Sequence, residues 1–217
     1  MDHAARRRRM VDSQLRTNQI NDPAVLAAMA RIPREAFVPP ALKQLAYIDE
    51  DLDLGNGRFL MEPLVLARLL QAAEIGPEAV ILNVGAGPGY DAAVMAQIGS
   101  TVIALESDPA LAAAAAGTLA DLGVDNVVVV EQPLDRGYPR GGPYDVIVFG
   151  GAVADIPDAV QDQLAEHGRL VAVVLDRGRV GKVVAVTRVR ASFARRQVFD
   201  AFTPILPGFA PVPRFTF

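Results

Sequence analysis

The residues best placed to do chemistry are three glycines and one carboxylate. Gly85, Gly87 and Gly89 alternate along the stretch Gly-Ala-Gly-Pro-Gly, directly after the apolar run Val80 to Val84. Such a run suits a strand covered on both faces, and a helix-like stretch from Tyr90 to Ile98 follows the glycines. Glycine permits the sharp turn and lets a ligand approach the backbone where a Cβ would collide. The same turn delivers that ligand to the positive end of a helix. Glu106 closes the next apolar run, Thr101 to Leu105, so its carboxylate is expected at the neighbouring strand end, where a ribose diol is gripped. Strand, glycine turn, helix, strand and acid together read as a nucleotide-cofactor site. The plainer reading is a tight turn that holds no ligand.

Other chemistries have less support. There is no cysteine, which excludes disulfides, thiolate metal sites and a Cys nucleophile. Of the two histidines, His3 lies in the N-terminal tail and His167 in a Glu-His-Gly turn, so neither suggests a hydrolase triad. Asp49, Glu50, Asp51 and Asp53 lack the spacing of a calcium loop and read as a solvated loop, so no metal is expected. Arg6 to Arg9 read as a solvated, frayed helix start, with an acidic or phosphate partner as the alternative. A net charge of -4 argues against general nucleic-acid affinity. No apolar run approaches the roughly 18 residues of a membrane span, and the basic N-terminus has no apolar segment behind it, unlike a secretory signal. A cytoplasmic location is expected, and the sequence does not give the oligomeric state.

The elements that must position the site follow from 217 residues that are 51% hydrophobic, enough for one substantial core. A modest amphipathic helix spans Met10 to Ile20. Asn21-Asp22-Pro23 then cap a second helix to Ala30. Tyr47 to Leu60 reads as a loop with a Gly55-Asn56-Gly57 turn, and Leu64 to Ala73 as a strong helix ended by Gly76-Pro77. Strands and helices alternate from there, which indicates a parallel sheet with helices on both faces. Asp108-Pro109 cap a helix to Leu122. Asn126 to Val130, Tyr144 to Phe149 and Arg169 to Leu175 are strands, and Ile156-Pro157 open a helix to about Ala165. Lys182 to Val189 and Arg195 to Phe202 read as an antiparallel pair, and Pro204 to Phe217 as an extended strap. The expected fold is α/β: a doubly wound, mostly parallel seven-stranded sheet. Residues 1–76 form a helical N-terminal lid region packed on a core of residues 77–217.

The glycines also discriminate between cofactors. In the dinucleotide fingerprint the third glycine falls where this chain has Tyr90, one residue later than Gly89. The resulting G-x-G-x-G turn resembles the first motif of class I S-adenosylmethionine methyltransferases, which have a Rossmann-like fold. Separated motifs narrow the resemblance to the protein-L-isoaspartate O-methyltransferase family. They are Met10-Val11-Asp12-Ser13-Gln14-Leu15, Ile32-Pro33-Arg34-Glu35-Ala36-Phe37-Val38-Pro39, Ala46-Tyr47, Gly85 to Tyr90, Pro143-Tyr144-Asp145-Val146-Ile147, Ile156-Pro157 and Gln163-Leu164. The similarity runs from about Met10 to Val174.

The resemblance implies S-adenosylmethionine as cofactor. It would be held by Phe59, Leu60, Asn83, Gly85, Gly87, Gly89, Tyr90, Glu106, Ser107, Gln132 and Pro133. It also implies a peptide or protein carboxylate as acceptor, and protein repair as the role. The sequence departs from the family at the site. A Thr-Ile-Ser-Gln-Pro segment in the family is Phe59-Leu60-Met61-Glu62-Pro63 here, so Met61 and Glu62 stand at the Ser-Gln positions. The acid before the first glycine is Asn83, and Gly-Asp-Gly after the third strand is Glu131-Gln132-Pro133. Met61 cannot donate a hydrogen bond; it either alters the acceptor site or fills a core gap. Asn83 either changes the cofactor contacts or caps a turn. Methyl transfer to a carboxylate needs no general base, because carboxylates are already ionised at neutral pH. A methyltransferase with another acceptor, and a non-catalytic cofactor-binding protein, remain the alternatives.

Overall fold

The computed structural model describes residues 2–175 and 181–210; residues 211–217 of the expected strap lie outside the described residues. In the N-terminal part, helix α1 (His3–Arg9) is capped by Asp2, whose Oδ1 accepts from Ala5 N at 2.9 Å. The chain widens into a π-helical stretch over Met10–Leu15 and tightens into a 3-10 turn over Arg16–Asn18 before α2 (Pro23–Arg31). Asp22 caps α2 by accepting from Ala24 N at 2.8 Å and Val25 N at 3.2 Å, an arrangement that stabilises a helix by about 1 kcal/mol.

Two features differ from expectation here. The first half of the arginine run is docked rather than frayed, Arg6 donating to Gln44 O at 2.5 Å and Arg7 reaching the Tyr47 hydroxyl at 3.3 Å, while Arg8 and Arg9 are exposed. The supposed loop from Tyr47 to Leu60 contains an antiparallel hairpin, β1 (Leu52–Gly55) and β2 (Arg58–Leu60). Its strands are only four and three residues long, too short to show an alternating pattern against the acidic flank.

Helix α3 (Pro63–Ala73) buries Val65, Leu66, Leu69 and Leu70, each fully buried aliphatic being worth about 1.5–3 kcal/mol. The units β3 (Val80–Val84), α4 (Tyr90–Met95), β4 (Thr101–Glu106), α5 (Pro109–Asp121), β5 (Val127–Glu131), β6 (Tyr144–Val153), α6 (Asp158–Gln161), β7 (Leu164–Leu175), β8 (Gly181–Val189) and β9 (Ser192–Ala201) follow. Helix α6 is shorter than expected, because β7 already begins at Leu164 and takes in the turn at His167, whose φ is +64°.

The sheet has seven strands in the order β5-β4-β3-β6-β7-β8-β9. Its first five strands are parallel, and β8 and β9 pair antiparallel at the far edge. Alternating side chains feed two cores: Ile81, Val102, Val146 and Val171 face one, and Leu82, Ile103, Ile147 and Leu170 the other. The first core also takes in Met10, Phe37, Leu60, Met61 and Leu70, so the N-terminal segments share it with the sheet. Strand order reverses between β3 and β6, and ligands of open α/β sheets sit beyond the strand ends at such a point. The glycine turn after β3 lies there.

Candidate cofactor and acceptor site

The turn after β3 is built as the glycines demand. Gly85, Gly87 and Gly89 have φ of +78°, +57° and +96°, values that L side chains adopt only under strain. Gly85 N and Ala86 N both donate to Leu105 O, at 2.9 and 3.0 Å, which locks the turn against the end of β4. A Cβ on Gly89 would stand 3.0 Å from the Ala115 Cβ, so this glycine also lets α5 pack close.

Glu106, at that strand end, is fully buried. Its Oε2 accepts from Gly87 N at 2.6 Å, and its Oε1 from Ser107 N at 2.8 Å and Asp108 N at 3.0 Å. A fourth donor is a side chain: Arg58 Nη2 lies 2.5 Å from Oε2. Gln132 follows β5 beside this acid, its N donating to Glu106 O at 3.1 Å, and both Gln132 and Pro133 are exposed. Ser107 is exposed and Phe59 half-buried.

Deeper in, Tyr90 is buried edge-on to Phe37, with ring centroids 5.6 Å apart. The Arg34 guanidinium stands 4.8 Å over the same ring, within cation–π range. Arg34 is wholly buried and donates to Ala46 O at 2.7 Å and to Met61 O at 2.5 Å. Burial pulls its pKa below the ordinary value, which Tyr90 and Asp91 partly offset. Burial pushes the Asp91 carboxyl up to about 6, against the opposing pull of Arg34 and Arg58. Asn83 donates from Nδ2 to Val148 O at 3.3 Å. Five buried polar atoms around the turn lack a hydrogen-bond partner among the described residues: Asn83 Oδ1, the Tyr90 hydroxyl, Asp91 Oδ1, Arg34 Nη1 and Arg58 Nε. Buried polar groups are rarely left so, and both donors and acceptors are present. The group suits a ligand that carries an amine, a carboxylate and a ribose, as S-adenosylmethionine does.

Leu60 and Met61 are buried, and the Met61 side chain packs in the core rather than into an open pocket. Glu62 is half-buried, and its N donates to Asp51 Oδ1 at 2.9 Å. Burial, then Asp49 and Asp51, push the Glu62 carboxyl up to about 7. Of the residues named from the sequence, Gly85, Gly87, Glu106 and Gln132 lie together at the ends of β3, β4 and β5. The sequence reading did not single out Arg34, Arg58 or Asp91. Arg34 stands in the Pro-Arg-Glu-x-Phe-Val-Pro segment, and Asp91 is the one acid in a six-residue helix that is otherwise apolar, so both carried a signal. Arg58 carried none.

A seven-stranded sheet with an antiparallel β8–β9 edge, a G-x-G-x-G turn at its reversal point and a buried acid one strand away is the architecture of the class I methyltransferases. The family model for protein-L-isoaspartate(D-aspartate) O-methyltransferase matches residues 5–200, and the chain belongs to this family. It is 39% identical to protein-L-isoaspartate O-methyltransferase 1 of Rhodopseudomonas palustris strain HaA2, over 97% of this chain and 89% of that one. It is 42% identical to protein-L-isoaspartate O-methyltransferase of Methanoregula boonei, over 92% of each chain. Two solved structures share the fold. One is a protein-L-isoaspartate O-methyltransferase, with TM-score 0.81 at 23% identity over 93% of this chain and 66% of that one. The other is a putative member from Plasmodium falciparum in complex with S-adenosyl-L-homocysteine, with TM-score 0.77 at 20% identity over 95% and 98% of the two chains.

Proposed function

We propose that this chain is a protein-L-isoaspartate O-methyltransferase, an S-adenosylmethionine-dependent enzyme that esterifies the carboxylate of an isoaspartyl site in a peptide or protein. The observation that carries the reading is Glu106, buried at the end of β4 and bonded to Gly87 N of the glycine turn, in a chain matched to the family along most of its length. Bound S-adenosylmethionine would supply a sulfonium-activated methyl group, the new C–O bond to the acceptor forming as the C–S bond breaks and leaves its electron pair on sulfur.

The chain's own residues then have three tasks. Glu106 takes the ribose diol, and the backbone of residues 85–89 passes close to the cofactor's chain. Gln132 would offer its amide to the adenine edge, with the exposed Ser107 and Pro133 on the same rim, while Leu60 would act only from the core behind the half-buried Phe59. Residues 1–76, through Phe37 and Arg34, act as a lid that keeps water from the reacting atoms. No residue has to remove a proton, because the acceptor enters ionised, and positioning supplies most of the rate.

One observation favours a different acceptor, one that is not an anion. Glu62, beside Asp49 and Asp51, brings negative charge to the segment where an acceptor carboxylate has to lie. Formation of S-adenosylhomocysteine from S-adenosylmethionine, with an isoaspartyl peptide and its aspartyl counterpart, tests the reading. Turnover with the isoaspartyl peptide alone is the expected result. Binding of S-adenosylhomocysteine without turnover on any carboxylate peptide would leave an acceptor that is not an anion, or a non-catalytic binder.

A further inference from the structure

The candidate cofactor cradle is occupied by two of the chain's own side chains. Arg58 is 3% exposed, and its Nη2 lies 2.5 Å from Glu106 Oε2. The same nitrogen stands 3.5 Å and 3.7 Å from where a Cβ would sit on Gly85 and Gly87, against the surface that the glycines keep open. Leu206 covers the other side, with its Cδ2 2.7 Å from the Gly85 Cβ position. It is held there by a strap in which Leu206 N donates to Ala152 O at 2.8 Å and Ala152 N to Pro204 O at 2.9 Å.

The donor count on Glu106 decides which group can yield. Gly87 N, Ser107 N and Asp108 N are main-chain amides of the turn and of the α5 entry, and cannot leave without unmaking the cradle. The two side-chain donors are Arg58 and the Ser107 hydroxyl, the latter 3.4 Å from Oε1, and of these only Arg58 is charged and comes from outside the turn and the α5 entry. Its seat is also imperfect, because Nε is buried with no partner among the described residues. Arg58 opens β2, directly after a hairpin tip whose residues Gly55, Asn56 and Gly57 all have positive φ. That hairpin forms its own two-stranded sheet, with no strand pairing to the seven-stranded one. It can therefore shift without breaking the main ladder. Asp108, on the exposed rim, gives the guanidinium a wet carboxylate within reach of its charge.

We propose that Arg58 is an internal competitor for the cofactor. The guanidinium and the ribose diol take Glu106 in turn, and the β1–β2 hairpin carries Arg58 out of the cradle as the nucleoside enters. Arg58 thereby sets cofactor affinity: each binding event has to break a buried ion pair before it gains the ribose contacts. The inference rests on the assignment of Glu106 to the ribose.

Calorimetry with S-adenosylhomocysteine on the wild-type chain, Arg58→Gln and Arg58→Ala tests this, alongside melting without ligand and hydrogen exchange of residues 52–60. Removing the competitor should tighten S-adenosylhomocysteine by about fivefold or more, since a binding-competent state that is only partly populated weakens apparent affinity in proportion. The same variants should melt at lower temperature without ligand, because Glu106 loses its counter-ion. A purely structural Arg58 would lower both quantities together. In the wild type, S-adenosylhomocysteine should speed amide exchange in residues 52–60 while slowing it in residues 85–89. Weaker or unchanged affinity in a folded Arg58→Gln overturns the proposal, as does unchanged exchange at the hairpin in the wild type. If Arg58→Ala does not fold, Arg58→Gln and the wild-type exchange decide. Absence of binding in all three forms would overturn the cofactor assignment as well, a result distinct from wild-type binding that the variants leave unaltered.

Discussion

Two glutamates mark the two halves of the candidate site, and they are treated differently by the fold. Glu106 is fully buried, with three main-chain amides, the Ser107 hydroxyl and one guanidinium on its oxygens. Glu62 is half-buried; among the described residues no group donates to its carboxylate, and its nearest charges include Asp49 and Asp51. A carboxylate surrounded by donors is a built binding group. One pushed up to about 7 by burial and like charges is poised to change state near neutrality. Glu106 is thus held chiefly by backbone amides, whereas Glu62 sits among other carboxylates.

The largest expected effect breaks the first half. Glu106→Ala leaves Arg58 buried without its partner, and removing one member of a buried pair costs about 3–5 kcal/mol. Loss of the ribose contact should add on the order of 1.5–3 kcal/mol to the free energy of cofactor binding, the scale for hydrogen bonds to a charged group. Glu62→Ala should cost far less, since no partner is left stranded. Urea unfolding of both variants measures the contrast, and Glu106→Ala combined with Arg58→Ala should recover part of the loss. Equal costs for Glu106→Ala and Glu62→Ala would dissolve the distinction between the halves.

That distinction also explains what the sequence revealed. A glycine turn and a strand-end acid are local features: Gly85, Gly87 and Gly89 adopt positive φ, and Glu106 falls where β4 stops. Apolar runs located β3, β4, β6 and β8 to within a few residues, because strands buried along most of their length carry the plainest pattern. The Arg34–Met61 and Thr203–Asp51 contacts span 27 and 152 residues, and no local pattern encodes a pairing across that distance. The β1–β2 hairpin was missed for a related reason: short strands beside Asp49, Glu50 and Asp51 look solvated until the fold supplies a partner surface. The first half of the arginine run was misread because its acceptors, Gln44 O and the Tyr47 hydroxyl, come from a separate segment.

A smaller effect sharpens the acceptor half. Met61→Ser with Glu62→Gln restores the hydroxyl and amide of the family segment and removes a negative charge. One pre-organised donor is worth up to about 2.7–4 kcal/mol at sites where charge builds up. The gain here should be well below that, since the acceptor carboxylate loses charge during transfer. Single-turnover rates with an isoaspartyl peptide should therefore rise, with affinity for S-adenosylhomocysteine nearly unchanged. Stability should fall, because Met61 is a buried core side chain and truncating such a methionine costs about 2–5 kcal/mol. A rate that drops in a folded double variant would show that Met61 shapes the acceptor site as it stands.

The smallest effect is a pH dependence confined to one half. The fold raises the Glu62 carboxyl from its ordinary 4.5 to about 7, so the folded chain binds this proton more tightly than the unfolded chain does. The stabilisation linked to that proton is complete below the unfolded value of 4.5 and is lost as pH rises through about 7. Glu62→Gln removes the titration. Wild type and variant should therefore melt with a constant difference at low pH, and the variant should gain on the wild type until about pH 7, where the gap levels off. The energy is modest, because Glu62 is partly exposed and solvent screens it. Activity should follow the same group: above pH 7 the ionised carboxylate repels an anionic acceptor, so kcat/KM for an isoaspartyl peptide should fall in the wild type and stay flatter in Glu62→Gln. Affinity for S-adenosylhomocysteine, which engages the other half, should show no such difference between the two proteins. Parallel kcat/KM profiles for wild type and Glu62→Gln between pH 5.5 and 8.5 would separate Glu62 from the acceptor and leave Arg34 and Met61 to define that half.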